Sequence, residues 1–213
     1  MDRRSFLTIS LALGVTPARL WSASSAQDVI AIGGDVTEII YALGQGHRLV
    51  ARDATSTFPP EAKELPDVGY MRRLSAEGVL SFAPELIVSA EGAGPPEVID
   101  ILRAASVEFA EVPEGYDTDA IVRKIETVGA ALDVQDRAEA LAVETRSELD
   151  TALDRAARSE DQKVRVMFIL STQGGRILAS GTGTGANGII EMAGGVTAVS
   201  SFEGYKPLSD DAA

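Results

Sequence analysis

Short apolar runs alternate with amphipathic stretches along the first half of the chain. The strand-like runs, bounded by glycine, proline or polar residues, are 29–32, 49–51, 86–88 and 107–112. The stretches with apolar residues at helical spacing are 35–43, 75–82 and 98–105. Strands that alternate with helices predict an α/β lobe with a mainly parallel sheet.

The pattern from 118 to 158 is helical almost without a break, with Asp133 as the one interruption. A helix from about 135 to 159 would be roughly 35 Å long at ~1.5 Å per residue, enough to join one lobe rigidly to another. Strand and helix signals then resume: 164–170 and 177–179 are apolar strands, and a glycine-rich turn at 181–188 leads into a short helix.

The second half of the chain echoes the first. Residues 37–44 align with 187–194 with three identities in eight, and both segments end a short apolar helix at glycine. Two interpretations stay open: a chance similarity between two helix starts, or two related α/β lobes with a ligand cleft between them. The organisation predicted from the pattern is an N-terminal lobe at 27–134, a linking helix at 135–160 and a C-terminal lobe at 161–213.

The second lobe is expected to be incomplete. It would contain about 50 residues against about 105 in the first, and 209–213 resembles the capped, acidic opening of a further helix.

Residues 1–26 are predicted to be a signal peptide. Arg3 and Arg4 give a positive start, an apolar run from Phe6 to Val15 is too short to span a bilayer, and small residues end at Ala26. The start fits an ordinary secretory signal and a twin-arginine signal equally. Either type predicts export to the periplasm.

Composition narrows the chemistry. The chain has 213 residues, no cysteine and one histidine, which excludes disulfide scaffolds, thiol chemistry and multi-histidine metal clusters. Its formal charge is -13, and removing the signal peptide leaves 16 basic and 31 acidic residues, a charge of -15. Such a chain is a poor nucleic-acid binder, so no nucleic-acid partner is expected. Oxygen donors are the ligands that remain for a metal.

Several segments carry a family resemblance. Residues 65–72, Leu-Pro-Asp-Val-Gly-Tyr-Met-Arg, are the most specific, and 52–56, 74–78, 93–96, 193–195 and 202–209 fit the same pattern. The chain from Val29 to its end resembles the haem-binding component of bacterial haemin ABC importers, a fold family that also includes cobalamin and iron–siderophore binding proteins. The resemblance implies a non-enzymatic carrier with two α/β lobes joined by one long helix. Its cargo would be ferric haem b.

By that resemblance, Tyr70 is the axial ligand to the haem iron. A phenolate is a hard anionic donor suited to Fe(III), and tyrosine is an established haem ligand. Without the resemblance, Tyr70 would be interpreted as a half-buried loop tyrosine. The residues expected around the iron ligand and the haem propionates are Arg72, Arg73, Arg52, Tyr205 and Lys206.

The resemblance also implies partners. Glu77, on the first lobe, and Asp211, on the second, are expected to dock to basic residues of an inner-membrane permease, and an outer-membrane haem receptor is expected upstream. For Glu77, the alternative is an acid favoured by the helix dipole alone.

Two further features are weak evidence for function. His47 follows Gly46 in a loop away from the tyrosine motif and is expected to be a solvent-exposed histidine. Residues 183–188 satisfy G-x-G-x-x-G, but the motif alone is weak evidence for a nucleotide-dependent enzyme. The nearer rival keeps the fold and changes the cargo to cobalamin or an iron–siderophore complex.

Overall fold

The computed structural model describes residues 28–208. The predicted signal peptide and the expected docking residue Asp211 lie outside these residues. In the first lobe the strands are β1 (Val29–Ile32), β2 (Leu49–Arg52), β3 (Leu86–Ala90) and β4 (Glu108–Val112). The helices of this lobe are α1 (Gly34–Ala42), α2 (Ala76–Leu80), α3 (Pro96–Ala104) and α4 (Thr118–Ala131), and α5 (Gln135–Ala156) follows them.

The first lobe is a three-layer structure around a parallel sheet of order β2-β1-β3-β4. Strand β1 is fully buried because its alternate side chains enter two different cores. Val29 and Ala31 pack with α1, α4 and α5, whereas Ile30 and Ile32 pack on the other face with residues of α2 and α3. Burial on both faces explains why the strand is a continuous apolar run rather than an alternating one.

Helix α5 contacts both lobes, as the predicted linking helix should. Near its start, Ala138 lies against Gly129 of α4, where a side chain on the glycine would meet the Ala138 Cβ at 2.1 Å. At its end, the Ala156 carbonyl lies close to Gly194, where an added Cβ would be 2.1 Å from that oxygen. The interlobe helix is therefore held by close backbone approaches at both ends.

The second lobe contains β5 (Arg165–Val166), β6 (Ile169–Ser171), β7 (Leu178–Ser180), α6 (Gly185–Met192), β8 (Val196–Thr197) and β9 (Tyr205–Pro207). The apolar run 164–170 is not one strand: β5 pairs in parallel with β8, whereas β6 joins the antiparallel sheet β6-β7-β9. The prediction of mainly parallel sheets is therefore right for the first lobe, and the three-stranded sheet of the second lobe departs from it. The short β6–β7 connection, with Gly174 and Gly175 at φ 66° and 73°, makes an antiparallel pair.

The echo between the two halves corresponds to a shared strand–turn–helix unit. Helices α1 and α6 each follow a strand and are each closed by a glycine with positive φ, Gly44 at 71° and Gly194 at 74°. Ile40 and Ile190, which align in sequence, are both buried.

Candidate functional site

A cleft of about 910 Å³ lies between the two lobes. The residues from the first lobe that line it include Asp35, Glu38, Arg72, Glu114 and Tyr116, and those from the second lobe include Gly183, Gly185, Ile189 and Tyr205. The first-lobe residues follow the carboxyl ends of parallel strands, where ligands of α/β proteins usually bind. The volume lies at the upper end of the usual range for ligand pockets, about 300–1,000 Å³.

Tyr70 is presented by a loop whose backbone is fixed on both sides. The Ala54 amide donates to the Gly69 carbonyl at 2.8 Å, and the Gly94 amide donates to the Met71 carbonyl at 2.9 Å. The Tyr70 side chain itself is 47% exposed, and within residues 28–208 it forms no hydrogen bond or ion pair. The result is a phenol on an ordered backbone with its oxygen available to a ligand.

Arg72 and Arg73 follow on the same loop, and both side chains are exposed. Arg72 lines the interlobe cleft, whereas Tyr70 and Arg73 do not line it and lie beside Arg72 on the loop. Among the described residues, no acidic group lies within ion-pair distance of either guanidinium. Both charges are therefore available to an anionic ligand.

Arg52 is in a different situation. Its side chain is 11% exposed and its Nη1 lies 2.7 Å from Asp67 Oδ2. The same guanidinium donates to the carbonyls of Ala62 and Asp53. The Arg52 guanidinium is thus already bonded to groups of the protein itself, including Asp67 at the start of the tyrosine loop.

Tyr205 and Lys206 lie on β9, at the edge of the antiparallel sheet. Tyr205 lines the cleft and meets Phe168 edge to face at 6.4 Å between ring centroids. Lys206 points its Nζ over the Phe202 ring at 5.7 Å from the centroid and is not part of the cleft lining. Of the six residues expected to surround the haem, the cleft brings together Arg72 and Tyr205.

The structure adds an ionic cluster that the sequence analysis missed. Lys124 of α4 bridges Asp35 at 2.5 Å and Glu114 at 3.3 Å. Burial alone lowers the pKa of Lys124, but its hydrogen bonds and charge interactions with the two acids outweigh that effect and raise the pKa. A lysine inside the apolar stripe of Ile121, Ile125 and Val128 was the signal that could have revealed it, since lysine is almost never buried unless it is paired.

Tyr116, which follows β4, also lines the cleft. It lies 39% exposed at the cleft, and Gly188 of α6 packs against its backbone and Cβ. Burial, followed by the charge and hydrogen bond of Glu114, raises the pKa of Tyr116. Tyr116 is therefore a neutral hydrogen-bonding phenol at neutral pH.

The remaining motifs have local structural roles. His47 is exposed in a single helical turn, as expected. In the glycine-rich turn, the Thr184 hydroxyl accepts from the Asn187 amide at 3.0 Å and caps α6, and Gly185 and Gly188 approach Tyr116. Glu77 is exposed in the first turn of α2, which Ser75 caps.

Within residues 28–208, His, Asp and Glu side chains form no group of three or more that could hold a metal ion. None of the helices in this range has the length and hydrophobicity that a bilayer span requires.

Comparisons with known proteins agree on the family. Residues 29–213 match the family model described as periplasmic binding protein. A solved structure of "Periplasmic heme-binding protein BhuT in complex with two hemes" is 38% identical, with a TM-score of 0.81 over 87% of this chain and 72% of that one. The apo structure of periplasmic heme-binding protein RhuT from Roseiflexus sp. RS-1 is also 38% identical, with a TM-score of 0.82 over 88% and 72% of the two chains.

A curated relative named for a different ligand has a lower sequence identity to this chain than these two structures have. The vitamin B12-binding protein of Yersinia pestis (strain Pestoides F) is 29% identical over 146 residues, which are 68% of this chain and 52% of the relative. The chain therefore spans about half the length of the curated relatives it matches.

Proposed function

The chain belongs to the periplasmic binding protein family, whose members bind solutes rather than catalyse reactions, and we propose that it captures ferric haem b in the periplasm and delivers it to an inner-membrane ABC importer. The observation that carries the proposal is Tyr70: a solvent-accessible phenol, free of internal partners among the described residues, on a loop with a fixed backbone. Tyrosine phenolate is a suitable axial ligand for Fe(III).

The charges near Tyr70 suit the rest of a haem molecule. Arg72 lines the cleft and Arg73 is exposed one residue further on, so their forked donors can pair with propionate carboxylates. Tyr205 offers an aromatic face from the opposite lobe, and Lys206 is a second-lobe cation next to it. Arg52 is proposed to support this site from beneath the loop.

The identities of the relatives favour haem over other cargoes. Two structural relatives named as heme-binding are 38% identical to this chain. The second candidate is cobalamin, which rests on the vitamin B12-binding relative at 29% identity over 146 residues. Tyr70 beside Arg72 supports haem over cobalamin, because tyrosine phenolate is an established axial ligand of haem iron and a neighbouring guanidinium can pair with a propionate.

The location and partners of the carrier follow from the proposed function. A signal peptide at 1–26, of ordinary or twin-arginine type, would export the chain, and an outer-membrane haem receptor would supply the cargo. Glu77 in the first lobe and Asp211 in the second would dock to the permease. The exposed position of Glu77 on α2 is compatible with such a contact.

The test is a pair of absorbance titrations, one with ferric haem and one with aquacobalamin. We expect a Soret shift and a tyrosinate-to-iron charge-transfer band with haem, and no saturable change with aquacobalamin. Tyr70→Phe should weaken haem binding at least about tenfold, equivalent to about 1.4 kcal/mol. Tight cobalamin binding without a haem response would transfer the assignment to the second candidate.

A further inference from the structure

A single carboxylate connects the Tyr70 loop to strand β2. Asp67 Oδ2 accepts from Arg52 Nη1 at 2.7 Å, and Asp67 Oδ1 accepts from the Gly69 backbone amide at 2.7 Å. One oxygen thus holds a side chain of the sheet, and the other holds the backbone one residue before Tyr70. An aspartate that bonds an amide two residues onward fixes a local turn.

The sheet side of this connection is rigid. The Arg52 side chain is 11% exposed, and its guanidinium also donates to the Ala62 carbonyl at 3.3 Å and the Asp53 carbonyl at 3.1 Å. The backbones run together as well, since the Arg52 amide donates to the Pro66 carbonyl and the Val68 amide to the Arg52 carbonyl, both at 2.9 Å. Asp67 therefore pairs with a cation that the fold already holds in place.

The loop side of the connection has a conformational requirement at Gly69. Its φ is +98°, a region that L residues rarely adopt, although an added Cβ would meet no atom within 4 Å. Its carbonyl accepts from the Ala54 amide at 2.8 Å. Gly69 is thus bonded through both its amide and its carbonyl, and the direction of the next residue, Tyr70, follows from that geometry.

We propose that Asp67, together with Arg52, is a positioning residue that directs the Tyr70 phenol toward the iron of the bound haem. This inference rests on the proposed function and reassigns Arg52 from a propionate partner to a support of the loop. A ligand held in its productive geometry before binding loses less freedom when the complex forms. Polar partners behind a metal ligand typically change metal affinity by about 10–100-fold when they are removed.

The experiment measures haem release to excess apomyoglobin from the parent chain, Asp67→Ala and Asp67→Asn. Each is made in the Tyr70 and the Tyr70→Phe backgrounds. We expect Asp67→Ala to accelerate release at least about tenfold with Tyr70 present, and to have no further effect in Tyr70→Phe. The release rate of Asp67→Asn should fall between those of the parent and Asp67→Ala. The asparagine oxygen can still accept from the Gly69 amide, but it carries no charge to pair with Arg52.

The matched control is Glu111→Gln. Glu111 forms an ion pair with Arg103 at 2.8 Å, and its side chain is 42% exposed against 43% for Asp67. Glu111→Gln and Asp67→Asn therefore each remove the charge of a half-exposed acid that is paired with an arginine of the first lobe. We expect Glu111→Gln to release haem at the parent rate, and acceleration equal to that of Asp67→Asn would overturn the inference.

The outcomes separate this inference from the proposed function. Equal acceleration by Asp67→Ala in both backgrounds would overturn the positioning role alone, since the effect would not pass through Tyr70. Parent-like release from Tyr70→Phe would instead overturn the ligand assignment. In that case, hydrogen exchange of the ligand-free chain tests the positioning role. The backbone amides of 67–72 must exchange faster in Asp67→Ala than in Glu111→Gln, and equal rates refute the role.

Discussion

At the scale of single residues, the two tyrosines of the first lobe near the cleft have different surroundings. Tyr116 is partly buried beside Glu114, and its pKa is raised. Tyr70 is 47% exposed with Arg72 and Arg73 close in sequence and no acidic side chain bonded to it among the described residues. The neutral phenol of Tyr116 suits hydrogen bonding, whereas the exposed phenol of Tyr70 is open to an external ligand.

Lys124 provides a prediction about stability and pH. Lys124→Met should lower the free energy of unfolding at pH 8 by about 1–3 kcal/mol, since it removes hydrogen bonds to two carboxylates, Asp35 and Glu114. Because the folded-state pKa of Lys124 is raised, its stabilisation is fully present below the unfolded pKa of about 10.4 and is lost as the pH rises through the folded value.

Urea unfolding of the parent and Lys124→Met from about pH 8 to pH 12 measures this difference. The gap between the two chains should shrink in the alkaline range. A gap that stays constant up to the highest pH would show that the stabilisation does not depend on the lysine charge.

At the scale of elements, strand type could be predicted in the first lobe, whereas strand pairing could not be predicted in the second. The runs that became β1 and β3 are uniformly apolar because both faces of the sheet are covered by helices. The run 164–170 looks similar, yet it divides between two sheets, and Val164, Met167, Phe168 and Leu170 are all substantially exposed. An apolar run does not specify its partner strands, so the division could not be predicted.

The candidate site could also be predicted only in part from the sequence. Tyr70, Arg72 and Glu77 lie in one continuous stretch to which the family resemblance assigns functional roles, and those roles stay predictions. By contrast, Tyr116 contacts the second lobe, and Lys124 contacts Asp35, only because the fold brings these distant segments together. The helical pattern indicates that Lys124 needs a partner, but it does not say which residues are the partners. Asp35, Glu114 and the interlobe contact of Tyr116 were therefore found only in the structure.

The contact between α6 and Tyr116 yields a prediction at this scale. In Gly188→Ala, the new Cβ would lie 2.4 Å from the Tyr116 Cβ and 2.7 Å from its carbonyl oxygen. The lobes must shift, so we expect a loss of about 1–3 kcal/mol in the free energy of unfolding. Haem affinity should fall as well, since Tyr116 lines the cleft and would be displaced by the new Cβ.

Gly185→Ala is the control on the same helix. There the new Cβ would lie 3.5 Å from the Tyr116 ring, an ordinary contact. Alanine is the better helix former by up to about 1 kcal/mol, so this variant should be as stable as the parent or slightly more so. Thermal unfolding of both variants checks the pair, and equal melting temperatures would show that the lobes yield freely at Gly188.

At the scale of the whole molecule, charge and architecture suit a carrier that docks to a membrane complex. The chain without its predicted signal peptide has a formal charge of -15, which would steer it toward a basic permease surface. Helix α5 is fixed to α4 at one end and to the second lobe at the other. A continuous helix held at both ends predicts only a small closure around the ligand.

Docking gives the prediction for the assembled system. Glu77→Gln should weaken stimulation of the importer ATPase in proteoliposomes, because it removes a charge proposed to contact the permease. Haem affinity should stay unchanged, because Glu77 does not line the cleft. Glu97→Gln is the matched control, since Glu97 is also an exposed acid in the first turn of a first-lobe helix. Equal ATPase stimulation by the Glu77 and Glu97 variants would exclude Glu77 from the docking contact.

The most direct test of the account is whether the Tyr70 oxygen is bound to haem iron. Resonance Raman spectra of the ferric haem complex, excited in the charge-transfer band, detect the vibrations of an iron-bound phenolate. The account predicts phenolate modes that shift when the chain carries ring-deuterated tyrosine, persist in Tyr116→Phe and vanish in Tyr70→Phe. A haem complex without these modes, or with modes that survive in Tyr70→Phe, would contradict it.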